Sequence, residues 1–305
     1  MIVLRDVRRA LVPLFCLALL APGYDWPVKP FREQHPVRGF FDDPRRDMDV
    51  EGVRQQSFHS GVDISARDGT PVYAIEAGRV TLRRTAVVVT SPTGHVFGYW
   101  HVVPAVARGT LVAPHQLIGH VEARKRHVHL SESVGAAYVN PLRPGGLAPY
   151  VDDTSPQITD VALLSASGAP LDITAVRGVV DIVVDCYDTP PLAPPGPWAR
   201  SRVTPAFLRW RLLGPTGVVR RWQIAIDFRR VLLPRSLFNL VYAPKTHENR
   251  ASRPGNYRFY VARGLDTATL APGLYHLQVW AADTRRNHAL ARLPFLVAAQ
   301  SRKRT

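Results

Sequence analysis

The chain has 305 residues, enough for about two domains that each bury a core of their own. Its 46% apolar and 21% charged residues exclude a disordered chain, while 27 Pro and 21 Gly favour short strands joined by turns over long helices. The net charge of +15 implies attraction to polyanions, but the basic residues, all but four of the 39 being Arg, are spread along the chain. No interleaving of basic and aromatic residues marks a specific nucleic-acid reader.

At the N-terminus, Arg5, Arg8 and Arg9 precede an apolar run over residues 10–21 and the small-residue stretch Ala21-Pro22-Gly23. This order predicts a signal peptide over residues 1–23, because the run is too short to span a bilayer comfortably. Export would leave Cys186 as the mature chain's one cysteine, so stability would rest on packing rather than on disulfides. The polyanions met there would be wall polymers and anionic envelope surfaces.

His59-Ser60-Gly61-Val62-Asp63 follows, with two residues of the type that bind zinc. In a straight strand they would lie about 13 Å apart, too far to share an ion. Gly61 and Val62 disfavour a helix, so the spacing predicts a bend with irregular backbone at Gly61. Short β-like runs then cover residues 71–75, 78–82, 86–90, 95–101 and 126–130. Regular alternation would place His101 on the face of Tyr99, Phe97 and His95. His127 and His129 would project together while Val128 and Leu130 face a core. A catalytic zinc has three protein ligands and an open position, and histidines left over can handle protons or charge there. Taken singly, an H-x-H or an H-x-x-x-D is more often a core or surface pair than a ligand set. His35, His95, His115, His120, His247, His276 and His288 are assigned no role.

Residues 141–156 read as a boundary, rich in Pro and Asp. Beyond them Trp222, Ile224, Ile226 and Phe228 alternate, as do Tyr257, Phe259 and Val261, and Tyr275, Leu277 and Val279, which predicts a β-sandwich. Residues 190–197 and 244–254 are expected to be long loops. The run 270–283 is similar to the closing hairpin of bacterial immunoglobulin-like domains.

Together the motifs resemble the lysostaphin/LytM-like zinc metalloendopeptidases. His59-Ser60-Gly61-Val62-Asp63 is similar to the family's H-x-G-x-D, Asp68-Gly69-Thr70-Pro71-Val72-Tyr73-Ala74 to the stretch that follows it, and Tyr99-Trp100-His101 to its Y-x-H. Ile118-Gly119 and His127-Val128-His129 resemble the closing strands, Asn140-Pro141-Leu142 the domain end, and residues 35–40 the opening strand. The resemblance implies an antiparallel LytM-like catalytic domain over residues 24–150; with the alternation and hairpin beyond it, the expectation is a mostly β chain that continues as an immunoglobulin-like β-sandwich over 151–299 and ends in a basic tail over 300–305. The resemblance implies Zn2+ held by His59, Asp63 and His129, with His101 and His127 as the catalytic pair and His127 the preferred base. The implied partner is peptidoglycan. Residues 122–126, short and basic, depart from the Gly- and Ser-rich loop usual in the family. No Asn precedes Asn140, so no asparagine is expected to block the metal, although Asp42 or Asp43 could. The expected function is a secreted endopeptidase acting on peptidoglycan peptides. The competing readings are a noncatalytic regulator of a wall amidase and an adhesive scaffold led by the C-terminal half.

Overall fold

A computed structural model of the chain describes residues 23–48, 54–84 and 86–298. Residues 1–22, which carry nearly all of the expected signal peptide, and the expected tail at 300–305 lie outside the described residues. The fold is mostly β, and α1 (Phe238–Val241) is a single turn.

The first half contains β1 (Val37–Gly39), β2 (Pro44–Met48), β3 (Arg54–Phe58), β4 (Gly61–Ser65), β5 (Pro71–Tyr73), β6 (Gly78–Arg83) and β7 (Ala86–Thr90). These are followed by β8 (His95–Trp100), β9 (Val102–Pro104), β10 (Leu111–Val112), β11 (Leu117–Val121), β12 (His127–Val134) and β13 (Ala137–Val139). An antiparallel sheet runs in the order β1-β4-β12-β8-β7-β6-β10, with β13 added to β12, and a smaller sheet has the order β5-β11-β9. Between them lies a core of alternate residues, among them Val62, Ile64, Phe97, Tyr99, Val128 and Leu130 from the large sheet and Val72 and Ile118 from the small one. Because Val128 and Leu130 point into this core, pleating sends His127 and His129 to the opposite face.

Gly61 corrects one expectation. It is a regular strand residue paired with Ser131, and the irregular backbone lies instead at His59-Ser60, the two residues joining β3 to β4. What demands glycine is close approach, since a Cβ at position 61 would sit 2.1 Å from the Leu130 carbonyl oxygen.

The second half has β14 (Gln157–Ser165), β15 (Val179–Tyr187), β16 (Phe207–Gly214), β17 (Gly217–Asp227), β18 (Arg258–Asp266), β19 (Gly273–Ala282) and β20 (His288–Val297). Two sheets, β14-β15-β18 and β17-β16-β19-β20, share one core. Tyr257, Phe259, Val261, Tyr275, Leu277 and Val279 all enter it. The expected single face on β17 is broken. Ile226 pairs with Leu208 but Ile224 pairs with Arg209, the next residue along, so a bulge turns Ile224 outward. Ile226 and Phe228 are buried, whereas Ile224 is 65% exposed and Trp222 packs with Arg209 and Arg211.

The two cores exchange residues. Phe58, at the end of β3, packs against Phe228, Phe238 and Tyr242 of the second core, and Val203 belongs to the first. Phe58 immediately precedes His59, so burial of one ring fixes where the next residue begins. Two outcomes are expected. Gly61→Ala should destabilise the protein by about 2–4 kcal/mol through the clash with β12, and Phe58→Ala by about 3–5 kcal/mol through the cavity it leaves, both measured by denaturant unfolding.

Candidate metal centre

Three side chains converge on the outer face of the large sheet. His59 comes from the β3–β4 connection, Asp63 from β4, and His129 from β12, where it pairs directly with Asp63. His59 Nε2 lies 2.7 Å from His129 Nδ1 and 3.1 Å from Asp63 Oδ1, and His129 Nδ1 is also 3.1 Å from Asp63 Oδ1. Irregular backbone at residues 59–60 achieves what a straight strand could not, bringing together side chains four positions apart.

The chemistry of this donor set fits zinc. His59 Nδ1 is 2.7 Å from the Phe40 carbonyl oxygen, so its N–H is donated there and Nε2 keeps its lone pair. Arg45 Nη2 donates to Asp63 Oδ2 at 2.9 Å, leaving Oδ1 to face the two imidazoles. Two imidazole nitrogens and one carboxylate oxygen, close together on one point, form a tetrahedral zinc's usual protein ligand set.

Electrostatics keeps the set ready for a cation. Burial, reinforced by the Arg45 charge, lowers the His59 pKa to about 3, so its ring is neutral. Burial acts in the opposite sense on Asp63, but the surrounding His59, His127 and His129 groups outweigh it and hold the carboxyl well below the usual range. A neutral ring and an ionised carboxylate are the protonation states a metal requires.

His101 and His127 flank this group, their ring centroids 4.6 Å apart. His127 Nε2 is 3.6 Å from Asp63 Oδ1, and its Nδ1 is 2.7 Å from the Lys125 carbonyl oxygen. Arg38 Nη2 lies 2.6 Å from the same Nδ1, so the ring is held through Nδ1 and Nε2 is the nitrogen that faces the centre. Arg38 donates to the same carbonyl at 3.2 Å and so fixes the backbone that orients the ring. Burial lowers the pKa of both rings, that of His101 to about 4 with the help of His127.

His101 arrives by a different route from the one its spacing predicted. β8 ends at Trp100, and His101 has φ of 61°, in the left-handed region. The ring is thereby turned away from the buried face of Phe97 and Tyr99 and towards His127. Asp42 and Asp43 do not reach the centre. Both are buried, and their carboxylates accept bonds from Leu233 N and from Thr204 N and Oγ1.

Sequence reasoning missed Arg45, Arg38 and Trp198. Arg45 and Arg38 are ordinary members of an Arg-rich chain, and only the path of β1 and β2 brings them to the centre. Trp198, on the long loop of the second half, stacks on the Arg38 guanidinium at 4.3 Å. Together with Pro36, Arg67, Arg126 and Pro195 these two line a groove of about 700 Å³ on the His127 side. Asp68 also lines it, but its carboxylate accepts the backbone N–H groups of Arg124 and Arg126, which shapes the short basic loop.

The segment 57–141 matches the family model described as Peptidase family M23. Similar solved structures include a zinc containing peptidase from Vibrio cholerae, 23% identical over 39% of this chain and 39% of that one, with a TM-score of 0.31. Csd3 from Helicobacter pylori is 25% identical over 41% of this chain and 35% of that one, with a TM-score of 0.30. The chain thus spans well under two thirds of either structure's length. No curated protein matches it. Residues 57–141 are a LytM-like domain of peptidase family M23.

Proposed function

We propose that this protein is a secreted zinc metalloendopeptidase that hydrolyses peptide bonds in peptidoglycan, with His59, Asp63 and His129 as metal ligands. The observation that carries the reading is the convergence of their three donor atoms within 2.7–3.1 Å, with two further imidazoles beside them. When bound there, zinc would supply the Lewis acidity that makes water nucleophilic near neutral pH. His127 Nε2 would take the proton released on attack, its ring oriented through Nδ1 by the Lys125 carbonyl and Arg38. His101, beside His127, would donate a hydrogen bond to the oxygen on which negative charge develops. The intact set argues against the noncatalytic regulator, since a regulator needs no such arrangement.

The groove supports a peptide substrate carrying carboxylates. Its ionic lining is Arg38, Arg67 and Arg126 against Asp68, whose oxygens are already taken up by backbone N–H groups. Trp198 offers an apolar face at the same place. We read the second half as an immunoglobulin-like domain whose loop completes this groove. Export is supported by the N-terminal sequence pattern, and among the described residues no helix is long and apolar enough to cross a membrane.

Purified protein should hold about one zinc per chain at the centre, and His59→Ala should lose both that zinc and hydrolysis of purified wall material, read by elemental analysis and by mass spectrometry of released fragments. Undiminished hydrolysis by that variant would refute the reading. His127→Ala should keep the zinc and lower kcat by about 10²–10⁴-fold. Combining Arg67→Gln and Arg126→Gln should raise KM about tenfold for peptides with free carboxylates and leave KM for their amidated counterparts nearly unchanged.

A further inference from the structure

A second cluster of ligand-type side chains, sharing no residue with the first, lies where the two halves of the chain meet. Asp152 follows the first half, Asp188 follows β15, and Asp283 follows β19. One oxygen from each lies within 4.8 Å of the other two, and all three residues are at least nine-tenths buried. Asp188 and Asp283 also line a small cavity together with Phe40, Phe41 and Asn140 of the first half.

Their hydrogen bonds leave the charge unanswered. Asp152 Oδ1 accepts from Thr154 N and Oγ1, and its Oδ2 from the Tyr150 hydroxyl. Asp283 Oδ1 accepts from Arg285 N and Asn287 N, and its Oδ2 from Asn287 Nδ2. Asp188 Oδ1 accepts from Thr189 N. All of these donors are neutral. The remaining oxygen, Asp188 Oδ2, is buried with no hydrogen-bond partner at all. The guanidinium of Arg285 is spent on the Tyr150 and Leu142 carbonyls, and among the described residues no ion pair reaches any of the three carboxylates.

Three buried carboxylates with no ion pair and only the nearby, carbonyl-bound Arg285 as a positive charge are costly, since each must lose its hydration while repelling the others. A bound cation is the economical remedy, and the donors say which kind. All are hard oxygens, with neither imidazole nor thiolate, which favours calcium over zinc. Oxygens that all lie within 4.8 Å of one another are close enough to share one ion with metal–oxygen bonds of about 2.4 Å. Magnesium demands a tighter, nearly ideal octahedron. The neutral hydrogen bonds act as the outer shell that aims the carboxylates, while the bare Asp188 oxygen is an open ligand. Burial and the neighbouring Asp152 push the Asp188 carboxyl up to about 8, which marks how strongly the cluster resists a third negative charge when only a proton is there to relieve it.

We infer that Asp152, Asp188 and Asp283 form a calcium-class divalent cation site that fastens the segment between the two halves to the second sandwich. Its role is structural, and it is separate from the zinc centre. The site needs no peptidase activity and would stand if the chain proved noncatalytic.

The test uses the full chain loaded with zinc and titrated with terbium as the calcium probe. Terbium luminescence, excited through Tyr150, should appear and be displaced by calcium but not by added zinc. His59→Ala should leave it unchanged. Asp188→Asn, which keeps the shape and removes a charge, should weaken terbium and calcium binding at least tenfold and abolish the calcium-dependent rise in Tm. Circular dichroism verifies that the variant is folded, and Asp152→Asn takes its place if it is not. No calcium binding by the wild-type chain, as when a proton alone occupies the cluster, overturns the inference. So does calcium binding that survives in the folded variant.

Discussion

The geometry of the metal centre depends on a short backbone exchange between the Asp42-Asp43 turn and His59. Asp42 N donates to the His59 carbonyl and His59 N donates to the Asp43 carbonyl, both at 2.9 Å. The turn is held in place by the second half of the chain, through Thr204 on Asp43, Leu233 on the Asp42 carboxylate and the Tyr242 hydroxyl on the Asp42 carbonyl. A ligand carried on irregular backbone has no strand ladder to keep it in register. Here two buried carboxylates and one tyrosine do that work, Asp43 holding Phe40 N on one oxygen and Thr204 of the second half on the other.

This arrangement explains what was legible in the sequence and what was not. The pair His127 and His129 could be read because strand pleating is a local rule, and the buried Val128 and Leu130 obey it. The core alternation in β18 and β19 was readable for the same reason. Where local rules were extended past a break they failed. The β17 bulge reversed Ile224, the left-handed residue at the end of β8 redirected His101, and Gly61 proved to be required by a neighbouring strand rather than by its own conformation. None of these breaks has a signature within its own few residues. Arg45 and Arg38 were invisible for a different reason, since their roles come from strand order and one Arg in an Arg-rich chain looks like any other.

Charge is also distributed with more purpose than composition shows. A chain of net charge +15 would be expected to surround buried carboxylates with Arg, and around Asp63 it does. At Asp152, Asp188 and Asp283 it does not, although Arg285 is close enough to turn towards them and bonds carbonyls instead. On the outer groove the pattern is reversed, with guanidinium groups displayed and the one nearby carboxylate capped by backbone N–H groups. Arg38 links groove and centre, with its plane on Trp198 and its N–H on the carbonyl that orients His127.

The exchange of Phe58 and Val203 between the two cores bears on how such a chain can diversify. Modular proteins commonly acquire new specificity by recombining whole domains at a linker, and residues 141–156 would look like a natural splice point. A splice there would deprive the first half of the aromatic pocket that seats the residue before His59, and the second half would be left with an unfilled cavity in its core. Replacement of either half by a homologue therefore has to carry a complementary partner surface with it. The loops around Trp198 and residues 122–126 lie outside that shared packing.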